Sequence, residues 1–175
     1  MKQRITIEEY NTKWEGEFNK LQTLINDVME DSILSIEHVG STSIKGLASK
    51  PILDIDIVIE EYKIFPGVVK KLEAIGYYHQ VEWSFKGREA FGRKDAFVPW
   101  GGESTVWMQH HLYVCDQDSE ELRKHIAFRD YLREHEDVAF EYGRLKEELA
   151  RESKNRSSYS EGKTAFITSI LEEIN

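Results

Sequence analysis

The sequence predicts an α+β protein: a mixed β-sheet backed by helices, with a C-terminal helical segment. Three observations predict it. Apolar residues recur at helical spacing through Trp14, Phe18, Leu21, Leu24, Ile25, Val28 and Met29. Aliphatic runs at 33–39 and 52–59, then aromatic and β-branched runs punctuated by "KG", "FG" and "PWGG" up to residue 115, read as strands. Beyond Asp118 only helical patterns remain, so strands and helices are segregated along the chain. A length of 175 residues suits one domain over 1–175, with the sheet and its helices in 1–115 and C-terminal helices in 116–175.

Taken in order, residues 4–10 are extended, and Asn11 is the expected N-cap of the first helix, which ends near Asp31. Residues 33–39 form a short strand, 40–50 a loop, and Pro51 leads into a strand at 52–59. Pro66 suits the first turn of a helix that carries Val68, Val69, Leu72 and Ile75 inward and stops at Gly76. Three hairpin-linked strands are expected near 77–85, 88–98 and 104–115. Asp118 and Glu121 have the spacing of a capping box, opening a helix with Leu122, Ile126, Arg129 and Leu132 on one face. Asp137 restarts a helix to about Arg151. After a polar break, a last helix at about 159–174 buries Phe166, Ile167, Ile170, Leu171 and Ile174.

Composition narrows the function. The formal net charge of −9 repels nucleic acid over most of the surface, so no stable nucleic-acid partner is expected. A single cysteine, Cys115, rules out an intramolecular disulfide and suits a reducing, cytoplasmic compartment. The polar N-terminal residues lack the apolar core of a signal peptide, and no run approaches the ~20 apolar residues that span a bilayer, so no membrane association is expected.

The chemistry concentrates in "HVGSTSIKGLASKPILDIDIVIE". Strand alternation puts Leu53, Ile55, Ile57 and Ile59 on one face and Asp54 and Asp56 together on the other, about 7 Å apart. Aspartate is a poor strand former. Two on one face are either solubilising residues on a solvated sheet or a cation site. A hard divalent cation relieves their repulsion, and magnesium commonly takes one or two carboxylates plus substrate phosphates. Gly40 permits a sharp bend or a close ligand approach, and Ser41, Thr42 and Ser43 offer hydroxyls and amides to a phosphate. Lys45, Lys50, Arg88, Arg93 and Lys94 are cations a phosphate could meet. Tyr159 and Lys163 share a face of the last helix at i, i+4, the former suited to a base and the latter to a phosphate. His38 adjoins the same turn.

Gly-Ser, this spacer, and a hydrophobic strand with Asp-x-Asp resemble the signature of the nucleotidyltransferase superfamily typified by DNA polymerase beta. More narrowly, "HVGSTSIKGLASKPILDIDIVI", "YNTKW", "HHLYV", "FRDYLREH" and "YSEGKTAFI" resemble the GrpB family, over nearly the whole chain. The resemblance implies a nucleotidyltransferase-like mixed sheet. It also implies Mg2+- or Mn2+-dependent transfer of a nucleoside monophosphate from a nucleoside triphosphate to an acceptor it does not identify. Asp54 and Asp56 would be the catalytic metal ligands. Gly40, Ser41, Ser43, Lys50, Tyr159 and Lys163 would bind the nucleotide. The superfamily places a third carboxylate on a later strand; here His111 takes that position, as ligand or base. The family pattern there is His-Leu-His, where this chain has His111-Leu112-Tyr113. The alternative is a nucleotide- or metal-binding protein of the same fold without turnover.

Overall fold

The computed structural model describes residues 4–175. Five strands form one mixed sheet in the order β1-β2-β5-β4-β3: β1 Ser35–Val39, β2 Leu53–Ile59, β3 Tyr77–His79, β4 Glu89–Arg93 and β5 His110–Asp116. β2 and β5 run parallel, and every other pairing is antiparallel. Helices α1 (Lys13–Met29) and α2 (Phe65–Ala74) cover one face, and α3 (Glu120–Glu134), α4 (Glu136–Glu152) and α5 (Arg156–Ile174) follow the sheet in sequence. The chain is thus α+β, as its pattern predicts.

The core follows from the two periodicities. Leu53, Ile55, Ile57 and Ile59 are all fully buried and meet Trp14, Phe18, Leu21, Ile25 and Met29 of α1 with Val68 and Leu72 of α2. Each such aliphatic side chain contributes about 1.5–3 kcal/mol by leaving water. A second cluster joins Ile44 and Leu47 of the 40–50 loop to Phe128 and Leu132 of α3, Ala139 and Tyr142 of α4 and Ile170 of α5. That cluster fixes the helical segment against the loop, while Leu122 of α3 packs with Val58 and Cys115 of the sheet.

Several expectations need correction. The middle strands are far shorter than 77–85, 88–98 and 104–115. Residues 81–83 form a 3-10 turn, and 94–109 is a loop. Its backbone groups find partners outside the ladder: Trp100 N donates to Ile75 O at 2.8 Å and Trp107 N to Ala96 O at 3.1 Å. The cap of α3 is Ser119 rather than Asp118, accepting from Leu122 N at 3.1 Å. The last helix begins three residues early, where Asn155 and Ser158 make the capping box. Ile174 is exposed rather than buried. At the first helix the N-cap is Thr12, which makes no side-chain cap, and Asn11 stands one residue before it, its Oδ1 accepting from Lys13 N at 2.9 Å.

Candidate functional site

Sheet register assembles the site. Asp54 pairs with Val39 of β1 and His111 of β5, and Asp56 pairs with Glu37 and Tyr113, so these side chains share the face opposite α1 and α2. His111 Nδ1 donates to Asp54 Oδ1 at 3.0 Å. The two aspartates differ in setting. Asp54 is partly exposed, whereas Asp56 is fully buried. Asp56 Oδ2 accepts from His125 Nδ1 at 2.6 Å, while its Oδ1 has no partner among the described residues. A buried acceptor left without a donor costs about 1–3 kcal/mol, more when charged.

His125 belongs to a ladder on α3 that sequence reasoning missed. Arg129, one turn on, donates to Glu37 Oε2 at 2.8 Å and to His38 O at 3.1 Å. Arg133, a further turn on, donates twice to Ser43 O, at 3.0 and 2.8 Å. Residues 125, 129 and 133 thus fasten α3 to β2, to β1 and to the turn after it. Burial opposes charging His125, but its hydrogen bond to Asp56 and the charge there outweigh this and raise its pKa. The signal was legible as a polar stripe at i, i+4, i+8 beside an apolar one.

The turn is built on Gly40, whose φ is +71°. A Cβ there would also collide with the Asp54 carboxylate. The glycine is needed both for its backbone and for the approach to the acid. Ser41 opens the 3-10 turn 41–43. Ser43 is not free for a ligand: its hydroxyl donates to Gly40 O at 2.5 Å. His38 is held neutral by burial, its pKa lowered to about 4, with Nε2 2.9 Å from Thr42 Oγ1. His38, Thr42 and Ser43 line a cavity of about 850 Å³ on the far side of the turn, bounded by Phe18 and Arg133; the aspartates do not line it. His110 faces the other way. Its Nδ1 donates to Met108 O at 2.8 Å, and Nε2 lies 2.7 Å from the Tyr77 hydroxyl.

Cations gather beside Asp54 from the loop and the last two helices. Lys50 Nζ lies 4.4 Å and Lys163 Nζ 4.8 Å from the Tyr159 ring centroid. Tyr159 is only 1% exposed, so its ring supports two ammonium groups and is no open surface for a base, a correction to the stacking role. A third lysine, Lys146 of α4, is 2% exposed; it donates to Ala48 O and lies 4.7 Å from the Tyr142 ring centroid. Burial, then the charge of Lys163, lower its pKa to about 7. Burial also lowers Lys163 and Lys50, with Asp54 acting in the opposite sense on all three. None of the three joins an ion pair among the described residues. Lys146 escaped sequence reading because it looks like any surface position on a charged helix.

Among the described residues no three His, Cys, Asp or Glu side chains are grouped to hold a metal ion. The donor set nonetheless fits a magnesium-like cation. Two carboxylates share one face, one oxygen of Asp56 is unbonded, and such an ion completes its shell with phosphate oxygens and water.

Sheet order, helical backing and an Asp-x-Asp strand after a Gly-Ser turn define a nucleotidyltransferase-like fold. Complexes of the poly(U) polymerase Cid1 share that fold, with TM-scores of 0.55 and 0.57 at 11% identity over 89% of this chain and 48% of theirs. The chain belongs to the GrpB family: the family's sequence model, described as GrpB protein, matches residues 4–173. The crystal structure of conserved protein GrpB from Enterococcus faecalis superposes with a TM-score of 0.79 at 30% identity, covering 97% of this chain and 96% of that one. Curated relatives include UPF0157 protein YqkA of Bacillus subtilis, 31% identical over 98% of this chain and 47% of its own length. Glutamate-rich protein GrpB of Alkalihalophilus pseudofirmus is 30% identical over 99% and 97%. The chain thus spans about half of YqkA and nearly all of the second relative.

Proposed function

We propose that this chain transfers a nucleoside monophosphate from a nucleoside triphosphate to an acceptor hydroxyl. The observation that carries the proposal is the meeting, beside one glycine turn, of two aspartates on one strand face, Asp56 buried with an unbonded oxygen, and three lysines without ion-pair partners among the described residues. A triphosphate is the anion that complements both: its oxygens need cations, and its metal needs carboxylates.

The residues then have distinct roles. Asp54 and Asp56 would hold Mg2+, or Mn2+, which supplies charge neutralisation at the phosphates and a lowered pKa for the acceptor hydroxyl. Lys50, Lys146 and Lys163 hold the β- and γ-phosphates and keep them turned away from the acceptor. Ser41 and the adjacent backbone position the chain of phosphates at the turn. His125 and His111 orient the two carboxylates through their hydrogen bonds. The acceptor oxygen bonds to the α-phosphorus, the bond from that phosphorus to the α–β bridging oxygen breaks, pyrophosphate leaves, and the hydroxyl proton passes to water. A non-turnover nucleotide binder of the same fold is the second reading. It is favoured by His111 and His125 each engaging an aspartate while, among the described residues, no third carboxylate joins the pair.

The two separate in one experiment. Each α-labelled nucleoside triphosphate is incubated with Mg2+ and a metabolite extract, and pyrophosphate and labelled product are measured. Transfer abolished by Asp54→Asn and Asp56→Asn supports the first reading. Mg2+-dependent nucleotide binding without pyrophosphate release supports the second. Nucleotide affinity unchanged in both variants ends both.

A further inference from the structure

Arg88 lies in the hairpin that leads into β4. Residues Phe85 and Arg88 exchange backbone hydrogen bonds at 3.0 and 2.9 Å around Gly87, whose φ is +95°. The tip is tied down: Ser119 Oγ, the cap of α3, donates to Gly87 O at 2.6 Å, and Gly87 N donates to the Tyr62 hydroxyl at 3.2 Å. Arg88 is therefore held, not trailing. Its guanidinium carbon lies 4.3 Å from the centroid of Tyr113, the register partner of Asp56, and 4.5 Å from that of Phe85. The two rings lie against the guanidinium, so recognition falls to its N–H groups. Nη2 donates to Trp83 O at 3.0 Å, and Nε is buried without a partner among the described residues. No carboxylate pairs with Arg88 among the described residues.

Position gives this residue its meaning. The lysines come from the 40–50 loop, which joins β1 to β2, and from α4 and α5, whereas Arg88 lies against Tyr113 of β5, on the β4 side of the strand that carries the aspartates. Phosphoryl transfer needs attacking and leaving oxygens roughly in line. With pyrophosphate held by the lysines, the acceptor enters from the Arg88 side. We propose that Arg88 is a specificity residue for the acceptor, and that the acceptor is a small hydroxyl compound carrying an anionic group, carboxylate or phosphate. Arginine presents paired N–H groups matched to either. This assignment rests on the nucleotidyl-transfer reading for its role but not for its chemistry.

The test uses three probes that differ only at one end: glycerol 3-phosphate, glycerate and glycerol. Each is titrated calorimetrically into the protein with Mg2+ and a non-hydrolysable nucleoside triphosphate, and again without nucleotide. At least one anion binds about tenfold or more tightly than glycerol, and whichever does identifies the group as phosphate or carboxylate. Arg88→Met lowers that affinity about tenfold, Arg88→Lys retains part of it, and Lys86→Met, an exposed neighbour on the same hairpin, changes nothing. Nucleotide affinity is unchanged in Arg88→Met, and circular dichroism confirms that each variant is folded. Equal binding of glycerol and both anions, or undiminished anion binding by folded Arg88→Met, overturns the proposal. Arg88-dependent anion binding in a protein that fails to bind nucleotide would sink the transferase reading while upholding the anion site.

Discussion

The two faces of β2 are equally buried in part and opposite in what burial does. On one, Ile55 and Ile57 are fully buried in close-packed hydrocarbon and stabilise the fold. On the other, Asp56 is just as inaccessible, with one oxygen bonded to His125 and the other to nothing. Lys146 of α4 repeats the pattern, buried with a pKa lowered to about 7. Burial without compensation is costly, and here opposite charges are buried apart, each short of a partner. A purely structural protein gains nothing from that arrangement. A protein that binds a metal-bearing polyanion gains both missing partners at once.

The largest effect belongs to the hydrocarbon face. Ile55→Ala should lower unfolding free energy by about 2–5 kcal/mol in urea titrations. A loss under ~1 kcal/mol would show that this face is not close-packed. Gly40→Ala comes next. Forcing a side chain into the left-handed region and against Asp54 should remove about 1–3 kcal/mol and weaken Mg2+-dependent nucleotide binding together. Binding unchanged in the folded variant would detach the turn from the site.

Lys146→Met reverses the sign. The folded pKa of Lys146 is about 7 against an ordinary 10.5, so between these values the unfolded chain holds a proton that the folded chain lacks. Wild-type stability from this group therefore rises with pH across that window and is least below pH 7. At pH 6 the methionine variant should be about 1–3 kcal/mol more stable than wild type, with the gain shrinking toward pH 10, and should bind nucleotide more weakly. Parallel melts at several pH values check this; a pH-independent difference would place Lys146 outside the titrating cleft. The smallest stability change is expected at Asp56→Asn, within about 1 kcal/mol of wild type, although nucleotide binding should be lost. A destabilisation matching Ile55→Ala would make Asp56 a structural residue and erase the contrast between the faces.

Much of this was legible beforehand because it is local. Trp14 to Met29, Pro66 to Gly76, and the alternation of β2 follow from side-chain period alone, and they place Asp54 and Asp56 on one face correctly. The middle of the chain was not. Val98, Trp100 and Trp107 have strand-like composition, yet Val98 is buried and Trp100 and Trp107 bond to loop carbonyls instead of joining a ladder. Composition reports what packs well on a core and does not say whether the backbone pairs as a strand. His125 and Lys146 were passed over, and Arg88 stood undistinguished among five candidate cations, for a different reason: each owes its character to a partner far away in sequence, namely Asp56, Ala48 and Tyr113.

By itself the sequence determined the α+β plan, the helix and strand faces, and the pairing of a glycine turn with two acids, since periodicity and glycine's conformational freedom act over a few residues. Only the tertiary structure decided which acid is buried, which lysines lose their water, and which arginine lies against Tyr113. Those depend on solvent exclusion by segments tens of residues apart, and solvent exclusion sets the energy of a charge.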